Sequence, residues 1–185
     1  SAWRDERYEV RAHDDAPPAF LLERAAARYF GIRTRAVHVN GLVDTGTGTA
    51  MWIARRSPTK AIDPGMLDNL VGGGIAAGAT VAQTLAKEAW EEAGIDAATV
   101  SSAKPVGTIH VRRLQRDGLQ HETIHVHDLW LPRAFVPANQ DGEVVYDAPL
   151  RDELEGLVSE TLATVNKGGD EPIVRAAMAH LNLAL

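Results

Sequence analysis

The chain has 185 residues, 45% of them hydrophobic, no cysteine, and 19 Lys and Arg against 25 Asp and Glu, for a formal charge of −6. The length and composition suit one globular domain of ordinary size plus an extension. The lack of Cys excludes disulfides, thiolate-ligated zinc and a cysteine nucleophile and fits a reducing cytoplasm, while the acidic balance speaks against a nucleic-acid partner, whose phosphates call for clustered Lys and Arg.

In chain order, WRDERYEVRAH alternates Tyr8 and Val10 with polar residues, as a strand does. DDAPP is a turn signal, and AFLLERAAARYFGI reads as a short helix stopped near Gly31. Residues 1–35 therefore form a strand–helix extension, and 36–185 form the main domain. VHVNGLV and AMWIARR flank the turn DTGTGT and predict a hairpin, and LVGGG is a short strand running into glycines. PVGTIHVRRL and ETIHVHDLWLP predict a second hairpin around an Asp-Gly turn. RAFVPANQDGEVVYDAPL is loop and then strand, and two helices are expected near 151–165 and 172–184. No apolar run reaches transmembrane length, SAWRDERYEV lacks the apolar stretch of a signal peptide, and so no membrane partner is expected. Because the chain opens on Ser1 rather than Met, a trimmed start is expected.

The most informative stretch is GGGIAAGATVAQTLAKEAWEEAGI, from Gly72 to Ile95. Thr80 and Gln83 make a capping box, Gly94 is a left-handed terminator, and a helix over 81–93 follows. Val81, Leu85 and Ala89 form its apolar stripe. Glu88, Glu91 and Glu92 fall at i, i+3 and i+4 and share a face. Glu88 and Glu92 repel each other at a cost of roughly 0.2–0.5 kcal/mol. Glu91 and Glu92 also meet the negative end of the helix dipole, at roughly 0.3–1 kcal/mol each. A solvated acidic face could carry such small costs. A face gathered to share a hard cation such as Mg²⁺ would account for them, and local rules are most often broken at functional sites.

This segment resembles the Nudix box, G-x5-E-x7-R-E-U-x-E-E-x-G-U with U aliphatic. Gly73, Glu88, Glu91, Glu92, Gly94 and Ile95 match it, with Ala89 as a small first U. Ala79 stands where the motif has its first Glu, and Lys87 where it has Arg. RTRAVHVNGLV, ARRSPTKAIDPGMLDNLVGGG, HDLWLPRAFVPANQDGEV and the preamble LLERAAARYFGI look like one Nudix subfamily. Its members are plant and fungal proteins with an N-terminal extension, and Nudix domains joined to thiamine pyrophosphokinase. The resemblance implies an α/β (α+β) fold, the Nudix α/β/α sandwich with a mixed sheet, and hydrolysis of a small-molecule diphosphate. Mg²⁺ is the implied cofactor, with Mn²⁺ as a substitute, and thiamine diphosphate or its oxidised analogues the implied substrate. Homodimers are common in the superfamily, although nothing in this chain fixes its state.

By that resemblance the Gly73 carbonyl, Glu88, Glu91 and Glu92 are metal ligands. Glu88 or Glu91 assists proton removal, and Lys87 takes the place of the Arg that orients the neighbouring Glu, without its planar fork. A carboxylate from outside the box completes many such sites; Glu143 is the first candidate and Glu122 the second, each being otherwise a solvated strand-end acid. Arg55, Arg56 and Lys60 are candidates for substrate phosphates, or serve solubility. His110, His125 and His127 could ligate a transition metal but suit packing better, and Trp52 and Trp130 suit a core better than a stacking platform. The different-class alternative is a catalytically weakened Nudix-fold binding or regulatory module, which Ala79 invites.

Overall fold

The computed structural model describes residues 3, 5–13, 15–59, 64–140, 142 and 144–146. The expected helices near 151–165 and 172–184, and the residues Lys60 and Glu143, lie outside the described residues.

The central element is β3 (Arg33–Asp44), long enough to serve three neighbours. Its whole length runs parallel to β9 (Gly118–Leu131). Along its other edge, the first half pairs antiparallel with β7 (Val71–Gly74) and the second half with β4 (Thr49–Trp52). β8 (Lys104–Gln115) forms the expected antiparallel hairpin with β9 and closes a five-stranded mixed sheet. A smaller antiparallel sheet contains β5 (Ala54–Arg56), β6 (Leu67–Asp68) and β10 (Val144–Tyr146).

Alternation along β3 sends Val37, Val39 and Val43 into the core, where they meet Leu70, Val71 and Ile75. Helix α1 (Val81–Ala93) covers this face through Leu85, Ala89 and Ala93. Gly41 is part of the packing: a Cβ there would overlap the Leu70 side chain. A short helix α2 (Ala97–Val100), capped by Asp96, follows α1. On the opposite face Ala36, Ile124 and Val126 form a second apolar cluster with Ile109 and Val111.

The extension differs from expectation. β1 (Arg7–Val10) is a strand, but AFLLERAAARYFGI is not a helix. Its first part is β2 (Phe20–Glu23), paired antiparallel with β1, and only a 3-10 turn at Arg24–Ala26 and irregular turns follow. The reason is non-local. β1 needs a partner for its backbone groups, and its pairing with Phe20–Glu23 outweighs the high helix propensity of Leu21, Leu22 and Glu23. The two strands form a sheet of their own and do not join the edge of the large sheet. Gly31 does end the segment in a left-handed conformation, φ 63°.

Candidate active site

β7 and α1 bring the site together. The Thr80 side chain accepts from the Gln83 N–H, and Gln83 Oε1 accepts from the Thr80 N–H at 2.9 Å, so the helix begins where the capping box sets it. Gly94 ends it at φ 66°. Those two ends fix the phase of the helix, and its acidic face lies against the glycine backbone of β7.

Each glycine of β7 has a different neighbour. A Cβ on Gly73 would overlap Cγ and Cδ of Glu88 and lie 2.7 Å from its Oε2, so the Glu88 carboxyl packs on bare backbone. The Gly72 N–H donates to Glu92 Oε2 at 2.8 Å. A Cβ on Gly74 would overlap the hydroxyl of Tyr8, which arrives from β1. Gly73 and Gly74 are therefore required by close approach from helix and hairpin, whereas a Cβ on Gly72 would meet nothing nearer than His38 at 3.4 Å.

The three acids divide into two groups. Lys87 Nζ donates to Glu88 Oε1 at 2.9 Å and to Glu91 Oε2 at 2.8 Å, so these two carboxylates converge on one cationic nitrogen. Glu92 is 7% exposed, and its side chain anchors β7. The Tyr146 hydroxyl lies 2.6 Å from the Leu70 carbonyl and 3.1 Å from the Glu92 carbonyl, which ties the end of α1 to the start of β7. Among the described residues, no group of three or more His, Asp or Glu gathers as a ready metal cage. Glu92 Oε2 instead accepts from the Gly72 amide.

The electrostatics match this division. Burial pushes the Glu88 carboxyl above the usual carboxylate range, against the pull of Lys87 and with help from the charge of Glu91. Burial draws the Lys87 ammonium down, but its hydrogen bonds to Glu91 and Glu88 prevail and hold it above its ordinary value. Two carboxylates that already share a cation, beside a strand with no side chain to intrude, fit a hard divalent ion with oxygen ligands.

The other candidates have partners of their own. Arg56 forms an ion pair with Asp68 at 3.0 Å, and Arg55 donates to the Gly65 carbonyl at 3.1 Å. Glu122 accepts from the Thr34 hydroxyl at 3.2 Å. His110 Nδ1 lies 3.2 Å from the Thr123 hydroxyl, and His127 Nδ1 lies 3.3 Å from the His125 carbonyl. Trp52 is buried and stacks edge-on with Tyr146, whereas Trp130 is exposed. Sequence reasoning missed Tyr8, Glu9 and Tyr146, which reach β7, the loop after it and α1 from distant segments.

Comparison with known proteins agrees with the geometry. The NUDIX domain family model matches residues 33–167, and a domain of unknown function, DUF4743, matches residues 1–34. The chain is 43% identical over 141 residues to an Arabidopsis thaliana protein named Nudix hydrolase 24, chloroplastic, covering 76% of this chain and 39% of that one. It is 44% identical over 141 residues to Nudix hydrolase 20, chloroplastic, of the same plant, covering 76% and 38%. The chain thus spans about two fifths of the length of these relatives. A crystal structure from Deinococcus radiodurans shares the fold with a TM-score of 0.61 at 21% identity, covering 93% of this chain and 99% of that one. With the family model spanning most of the sequence and the matching residues assembled on β7 and α1, the chain belongs to the Nudix family.

Proposed function

We propose that this chain is a Mg²⁺-dependent hydrolase of a small-molecule diphosphate. The observation that carries the reading is the convergence of Glu88 and Glu91 on one cationic nitrogen beside Gly73. The Gly73 carbonyl, Glu88 and Glu91 would hold the ion, and Glu92 would join them by releasing the Gly72 amide. Bound there, Mg²⁺ would neutralise charge on phosphate oxygens and lower the pKa of an attacking water. Glu88, its carboxyl pushed up by burial, or Glu91 would assist removal of the proton from that water. Lys87 fixes the spacing of Glu88 and Glu91, and Glu92 keeps strand and helix in register through the Gly72 amide.

The substrate we propose is thiamine diphosphate or an oxidised analogue. Its support is the resemblance outside the box, in ARRSPTKAIDPGMLDNLVGGG and HDLWLPRAFVPANQDGEV. A second reading, a Nudix-fold binding or regulatory module, is favoured by Ala79, which removes a motif carboxylate. A panel of thiamine diphosphate, oxidised thiamine diphosphates, ADP-ribose and a dinucleotide separates them, assayed with Mg²⁺ and with chelator. The hydrolase reading predicts metal-dependent product release, fastest on a thiamine compound. Tight binding of an intact diphosphate without turnover would favour the module.

A further inference from the structure

We propose that the β1–β2 hairpin is a working part of the site, and that Glu9 is a positioning residue supplying, from the extension, a carboxylate to the loop where Ala79 lacks one. The proposal rests on the hydrolase reading for its consequence, but its geometry stands apart from that reading.

The segment 75–80 links Gly74 to the cap of α1, and β1 holds it at successive points. The Tyr8 hydroxyl lies under Gly74. The Ala77 N–H donates to the Arg7 carbonyl at 2.7 Å, and the Gly78 N–H donates to Glu9 Oε1 at 3.1 Å. Gly78 is left-handed, φ 77°, so its amide is aimed by a backbone conformation that favours glycine. The contact closes a circuit. The Ile75 N–H donates to the Arg35 carbonyl at 2.8 Å, the Arg35 guanidinium lies 3.4 Å from Glu9 Oε2, and Glu9 Oε1 receives Gly78. Arg11 braces Glu9 Oε2, the oxygen that faces Arg35, at 2.6 Å.

Gly78 is exposed, and water could satisfy its amide. A half-buried carboxylate held by two guanidiniums is not needed to satisfy that group; it fixes it in place. The fixed loop leads directly into Thr80, where the capping box starts α1, and so steadies the approach of Glu88 to Gly73. The same hairpin brings Tyr8 and Arg24 within electrostatic reach of Glu88.

The test compares wild type, Glu9→Ala and Glu9→Gln by amide hydrogen exchange and by direct Mn²⁺ titration without substrate. Glu9→Ala should speed exchange at Ala77 and Gly78 by about tenfold or more. It should also weaken Mn²⁺ binding about tenfold, while exchange at Val37 and Val39 holds. Glu9→Gln, which keeps an acceptor for Gly78 but loses the charge held by Arg11 and Arg35, should fall between wild type and Glu9→Ala in both. Unchanged exchange at Ala77 and Gly78, unchanged Mn²⁺ affinity despite faster exchange, or loss spread evenly over β3 would each overturn the proposal. A wild type that binds no Mn²⁺ would instead overturn the reading of the site, and the exchange rates would then decide alone whether Glu9 holds the loop.

Discussion

Gly73 shows how one residue sets the site. The Glu88 carboxyl occupies the space that any side chain at 73 would fill. Gly73→Ala should therefore push Glu88 away from Lys87, costing about 1–3 kcal/mol of stability by overpacking and at least tenfold in turnover. Thermal melting and a kcat measurement together check it; an alanine variant with wild-type kcat would mean that the contact does not matter. Glu9 makes a second residue-scale prediction. Its hydrogen bond from Arg11 chiefly, then those from Gly78 and the charge of Arg35, hold its carboxyl below the ordinary 4.5. The fold therefore favours the charged form. Its contribution to stability is present above pH 4.5 and lost as pH falls through the lower folded value. The melting difference between wild type and Glu9→Gln should narrow on acidification below that point. A difference constant from pH 7 down to pH 3 would show that charge is not its cause.

At the scale of elements, α1 was legible because its ends are written locally. Thr80, Gln83 and Gly94 carry their own hydrogen-bond and backbone logic, and the helix runs Val81–Ala93 as the spacing predicts. Thr80→Ala should remove the cap and lower stability by about 1 kcal/mol, read as a fall in Tm; an unchanged Tm would mean that tertiary packing alone holds the first turn. The hairpins β3–β4 and β8–β9 were legible for the same reason, from alternation and turn residues, but AMWIARR, read as one strand, breaks at Ile53 into β4 and β5, and β5 belongs to the smaller sheet. β2 was not. FLLERAAA reads locally as helix, and only pairing with β1 across the DDAPP turn makes its first residues extended. The acids of α1 were half legible. Their shared face followed from spacing, but the turn of Glu92 toward Gly72, and its separation from the pair at Lys87, depend on β7 beneath.

At the scale of the molecule, the site is a meeting of three distant segments. The glycines of β7 supply bare backbone, α1 supplies acids, and the β1–β2 hairpin holds the loop between them. Glu9 and Gly78 lie 69 residues apart, which no local pattern could reveal; the alternation in RYEV placed Tyr8 and Val10 on one face and gave Glu9 no visible partner. The central claim is that the acids of α1 share a divalent ion that drives diphosphate hydrolysis. Glu91 offers the cleanest probe, because its side chain is 39% exposed and Glu91→Gln keeps its shape, whereas Glu92 is built into the contact between helix and strand. The most direct measurement is Mg²⁺-dependent phosphate release by wild type and Glu91→Gln at equal folded content. The account predicts turnover in the wild type and a loss on the order of a hundredfold in the variant, about 2.7 kcal/mol of barrier. Turnover undiminished in Glu91→Gln, or a wild-type rate indifferent to Mg²⁺, would contradict it.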